Sequence, residues 1–92
     1  MSISAIIFEI LCKLAAKAGF NPNDFSCRID PHDLSYIEYD VRLDYKPTDY
    51  HRLFPIRPYY ESGSLSDYMI KRQVEKQVII FLEELKAPEE MK

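Results

Sequence analysis

Between Leu34 and Tyr45 the side chains change character at almost every step. Ile37, Tyr39, Val41, Leu43 and Tyr45 fall on one side of an extended chain, and Glu38, Asp40, Arg42 and Asp44 on the other. Successive side chains of a strand point to opposite faces, so this stretch predicts a strand with one buried and one wet face. A sheet wetted on one face is typically antiparallel and backed by helices on the other. The rest of the chain must supply that backing.

The first helix is predicted from Ser2 or Ser4 to Ala18. Ile3, Ile6, Ile7, Ile10, Leu11, Leu14 and Ala18 recur at helical spacing, while Glu9, Lys13 and Lys17 form a polar stripe. Gly19 supplies a left-handed stop, Phe20 an apolar cap contact, and Pro22 prevents continuation. Phe25, Cys27 and Ile29 alternate with Ser26, Arg28 and Asp30 as a first short strand. Asp30-Pro31-His32-Asp33 has turn chemistry, which predicts a tight hairpin into the 34–45 strand. Lys46-Pro47-Thr48 ends that strand.

Residues 48–60 admit two readings: a short helix capped by Thr48-Asp49, or an edge strand over Leu53–Tyr60. The expectation is an irregular segment with a short edge strand, because Pro55 and Pro58 exclude a central one. The last helix is predicted to start near Ser64, with Ser64 and Asp67 at capping-box spacing, and to run to Lys86 before Pro88. Its core stripe is Ile70, Val74, Val78, Phe81 and Leu85. Residues 87–92 read as a frayed tail. The layout expected is a single α+β domain, α-β-β-(β)-α: an antiparallel sheet of two to three strands with N- and C-terminal helices on one face. That order is similar to the order of double-stranded-RNA-binding domains, whose helix-start lysines and histidine loop this chain lacks; no membership follows.

With 92 residues there is room for one core but not for a deep cofactor cavity. Net charge is −3, unevenly spread: residues 23–50 carry seven acids and three bases. Acids on the wet face of the best strand would repel phosphate. A small basic group remains in Arg52, Arg57, Lys71, Arg72 and Lys76. Cys12 and Cys27 lack metal-type spacing and read as buried free thiols. The apolar start of the chain has no basic leader region and carries charges, so it predicts neither a signal peptide nor a membrane span, and a cytoplasmic location is expected.

Asp30, His32 and Asp33 lie together, but their residue types are those of a turn, and no metal or cofactor is expected. No nucleophile or phosphate-loop motif is present, which argues against an enzyme. Pro55-Ile56-Arg57-Pro58 matches a polyproline docking pattern, yet its aromatic neighbours read as a folded edge. What distinguishes the chain is seven Tyr with no Trp. Tyr and Arg are favoured at binding hot spots. Tyr50, Arg52, Arg57, Tyr59, Tyr60, Tyr68 and Arg72 are therefore the candidate partner-binding residues. Ile79 falls on the charged face of the last helix and is the candidate for self-association into a homodimer.

The function expected is a non-catalytic intracellular adaptor, inhibitor or assembly subunit, of the kind that mobile elements and viruses carry. The alternatives are a nucleic-acid-binding accessory protein using the Arg52–Lys76 basic group, and an enzyme subunit whose site another chain completes.

Overall fold

The fold, taken from a computed structural model, describes residues 2–31, 38–59 and 64–87. In chain order it comprises α1 (Ile3–Lys17), a 3-10 turn (Pro22–Asp24), β1 (Phe25–Pro31), β2 (Tyr39–Tyr45), β3 (Tyr50–Ile56) and α2 (Asp67–Lys86). The strands form one antiparallel sheet in the order β1-β2-β3. This is the α+β layout expected.

Each helix ends where its local chemistry dictates. The Ser2 hydroxyl accepts from the Ala5 N–H at 3.2 Å, satisfying one orphan donor at the start of α1. At the other end Gly19 has φ 91°, the left-handed conformation that costs glycine nothing. This lets Phe20 N–H reach the Ala15 carbonyl at 2.9 Å and Gly19 N–H reach that of Ala16 at 3.1 Å, the paired bonds of a Schellman stop. The Phe20 ring then meets Phe25 and Tyr45 edge-on, at 5.7 and 5.8 Å, so the stop also ties α1 to the sheet. At α2 the cap is Ser66, not Ser64. Ser66 is buried, its hydroxyl accepts from Met69 N–H at 3.1 Å, and its own N–H donates to the Pro58 carbonyl at 2.9 Å. Docking against Pro58 thus moves the cap two residues beyond the sequence signal.

The register assigns every strand residue to a face. Phe25, Cys27 and Ile29, Tyr39, Val41, Leu43 and Tyr45, and Tyr50, Phe54 and Ile56 face the helices. Val41 and Leu43 are fully buried among Ile7, Leu11, Ile70, Val74, Val78 and Phe81. The opposite face is open and carries Ser26, Arg28, Asp30, Asp40, Arg42, Asp44, His51, Leu53 and Pro55. Ile6 and Ile10 lie beside Lys71 and Glu75, and Leu14 and Ala18 beside Ile79 and Leu82, so α1 and α2 run parallel.

Several expectations change. Asp30 and Pro31 belong to β1, and Pro31 pairs with Tyr39, so the connection is residues 32–38 and not a tight turn at 30–33. His32, Asp33 and the strand positions 34–37 lie outside the described residues. Residues 50–56 form a full seven-residue strand, longer and more regular than expected. Asp49, at φ 59°, closes the hairpin in place of capping a helix; Asp is among the residues that tolerate this region. Glu38 and Arg42 are half-buried, not exposed, and both cysteines are half-buried, not buried. Burial, and then proximity to Cys12, pushes the Cys27 thiol up to about 11.

Candidate protein-binding surface

Six of the seven residues singled out from sequence are described, and they separate into three pairs. Tyr50 and Arg52 sit at the start of β3 and turn towards α2. Tyr50 stacks on Phe81 with ring centres 5.8 Å apart. Arg52 Nε donates to Gln77 Oε1 at 2.8 Å, and its Nη1 pairs with Glu84 at 3.3 Å. Partial burial, and then the Glu84 carboxylate, raise the Tyr50 hydroxyl above its ordinary value. These two side chains seal the β3–α2 seam. Alternation forces this placement: Arg52 pairs with Leu43, whose side chain faces the core.

Arg57 and Tyr59 lie at the other end of β3. Arg57 Nε pairs with Glu38 at 3.3 Å. Its backbone is held by a side chain of α2: Gln73 Oε1 accepts from Arg57 N–H at 2.7 Å, and Gln73 Nε2 donates to Arg57 C=O at 2.8 Å. A single amide thus satisfies the edge as a neighbouring strand would. Tyr59 is half-buried, bridges to Leu65 and packs 6.2 Å from the Tyr39 ring. Tyr60 lies outside the described residues.

Tyr68 and Arg72 remain as free surface. They belong to a stripe on the outward side of α2, opposite Ile70, Val74 and Phe81, that continues through Lys76 to Ile79. Tyr68 is 64% exposed and Ile79 45%, and Leu65, just before the helix, is 40% exposed. Arg72 and Lys76 have no acidic partner among the described residues, whereas Lys71 meets Glu75 at 4.0 Å. Beside Ile79 a shallow groove of about 290 Å³ runs between the helices, lined by Leu14, Ala18, Leu82 and Lys86 among others. Ile79 therefore faces water, as its helical position predicts.

Sequence reasoning missed Leu65, Phe8 and Leu53, which are large apolar side chains left exposed. The signal for Leu53 was its alternation with His51 and Pro55, hidden by the prolines that made the strand look irregular. On the open sheet face Arg42 pairs with Asp44 at 2.9 Å and Arg28 with Asp30 at 3.5 Å, so its charges are largely self-compensated. No helix among the described residues is long and apolar enough to cross a membrane. No family model matches the chain, nor does any curated protein or solved structure.

Proposed function

We propose that the protein is a small non-catalytic binding domain, an adaptor, inhibitor or assembly subunit, and that it engages another protein through the outward stripe of α2. One observation carries the reading. Tyr68 and Ile79 stand exposed at the two ends of a helical stripe whose middle holds two cations, Arg72 and Lys76, with no acidic partner among the described residues. Apolar anchors flanking charge are what a helix offers to a complementary amphipathic partner. The partner that fits is an acidic protein segment with apolar residues at helical spacing.

The nucleic-acid reading is weakened by the fate of the basic group. Arg52, Arg57 and Lys71 are each engaged by a carboxylate, which leaves only Arg72 and Lys76 to meet phosphates. Affinity capture from the source cells, with wild type beside Tyr68→Ala and Ile79→Glu, tests the proposal. The expected result is a retained protein whose affinity falls about 30-fold or more with Tyr68→Ala, the loss typical of an interface anchor. The melting temperature should barely change. Retention unaffected by either substitution would remove the stripe from the function. A steep salt slope with DNA or RNA would restore the phosphate reading, and sedimentation would reveal a second copy as the partner.

A further inference from the structure

The two edges of the sheet differ. In an antiparallel pair, residues alternate between bonding their strand neighbour and pointing both backbone groups outward. The bond from Lys46 N–H to the Asp24 carbonyl, at 2.9 Å, sets the phase on β1. Ser26, Arg28 and Asp30 then bond β2, and Phe25, Cys27, Ile29 and Pro31 point away from it. The same alternation carried across β2 turns His51, Leu53, Pro55 and Arg57 outward on the far side, and Gln73 indeed takes both backbone groups of Arg57 there. That edge is blunted: Pro55 has no N–H to offer, and α2 supplies the bonds of Arg57. On β1, Phe25 N–H is used by the Pro22 carbonyl. Among the described residues nothing bonds the outward N–H groups of Cys27 and Ile29, or the carbonyls beside them.

A shallow groove of about 450 Å³ lies along this free edge, between it and α1. Ala5 and Phe8 line one side, and Phe25, Ser26 and Cys27 the other; Phe8 is 40% exposed over it. Lys46 is the one charged side chain lining the groove. Its Nζ donates to the Asn23 carbonyl at 3.2 Å and meets no carboxylate among the described residues. Backbone donors and acceptors along a strand edge, an apolar roof and a single unpaired cation fit one kind of occupant.

We propose that the free edge of β1 is a docking site for an extended segment of another protein, which adds to the sheet as a fourth strand beneath Phe8 and places a carboxylate against Lys46. Backbone bonding supplies affinity in such strand addition, and alternate side chains supply selectivity. The site is separate from the α2 stripe and does not depend on it.

The test uses two synthetic seven-residue probes of alternating Val and Thr, one ending in Glu and one in Lys. Each is titrated into the 15N-labelled protein, with amide exchange followed residue by residue. Binding of the Glu-ended probe should slow exchange at Cys27 and Ile29 about tenfold or more, and shift signals on β1 and around Phe8. Lys46→Glu should weaken the Glu-ended probe about three- to tenfold and favour the Lys-ended one, the range expected for reversing one exposed charge. Lys46 is exposed, so this substitution leaves the core intact. Absence of protection at millimolar probe, or shifts confined to α2, would overturn the proposal. So would equal effects of Lys46→Glu on both probes. Protection that grows with protein concentration without probe would assign the edge to a second copy and overturn it too.

Discussion

Gln73 holds the β3 edge with two of its three hydrogen bonds, which makes it the sharpest place to test how that edge is kept closed. Beyond its two bonds to Arg57, its amide nitrogen donates to the Met69 carbonyl at 3.1 Å. Gln73→Ala removes all three. The bonds to Arg57 are solvent-exposed, so water replaces them in part and each is worth about 0.5 kcal/mol; the Met69 bond is partly buried and is worth about 1 kcal/mol. The higher helix propensity of Ala returns a few tenths. The expected loss is about 1.5–2 kcal/mol.

Gln73→Glu discriminates between lost contacts and wrong ones. An ionised carboxylate still accepts from Arg57 N–H, but it confronts two carbonyl oxygens with no proton to give. At pH 7 it should be less stable than Gln73→Ala by about 1 kcal/mol, the cost of leaving acceptors opposed. Protonation restores a donor, so the fold favours the neutral acid and raises its pKa above the unfolded value of about 4.3. The deficit is therefore absent below that value and appears as pH rises through the folded pKa. Urea melts of both variants at pH 7 and pH 4, compared at each pH, measure this. If the glutamate variant matches wild type at pH 7, or its gap to the alanine variant does not close in acid, the carbonyl bonds are not what hold the edge.

Two further outcomes are expected. Leu43→Ala empties a fully buried position and should cost about 3–4 kcal/mol by denaturant melt, whereas Lys13→Ala, on an exposed i,i+4 ion pair, should change stability by no more than about 0.5 kcal/mol. The reverse order would refute the strand register. The Cys27 thiol, pushed up to about 11, holds about 100-fold less thiolate near neutral pH than an ordinary thiol, and iodoacetamide should modify it correspondingly more slowly, as peptide mapping would report. Because its folded value is raised, the stability tied to its neutral form is intact below about pH 9 and is lost as pH rises towards the folded value.

The parts of the fold legible in the sequence are those set by local rules. The period of β2, the wide apolar arc of α1 and the Gly19 stop each depend on residues near one another, and each stands where the pattern placed it. What escaped depended on distant partners. Ser66 caps α2 because Pro58 holds it in place, and no spacing within 64–67 encodes that. Pro55 concealed β3 because its outward phase, which lets a strand tolerate it, follows only from pairing with β2. The candidate site divided for the same reason. Arg52 and Tyr68 look alike as surface residues, yet strand alternation turns one into the seam with α2 and helical phase turns the other into water.

The parallel course of α1 and α2 also bears on how the chain reaches this structure. The three strands are joined in sequence order by short connections, so each pairing forms between near neighbours. The contact between the helices instead joins the first element to the last. About fifty residues must close to bring them side by side, at an entropic cost of roughly 3.5 kcal/mol beyond the constant term. The longest closure in the fold thereby falls in one interface. Assembly by way of the strand meander, with the docking of α1 against α2 as the closing step, keeps that cost until the sheet is present to receive both helices.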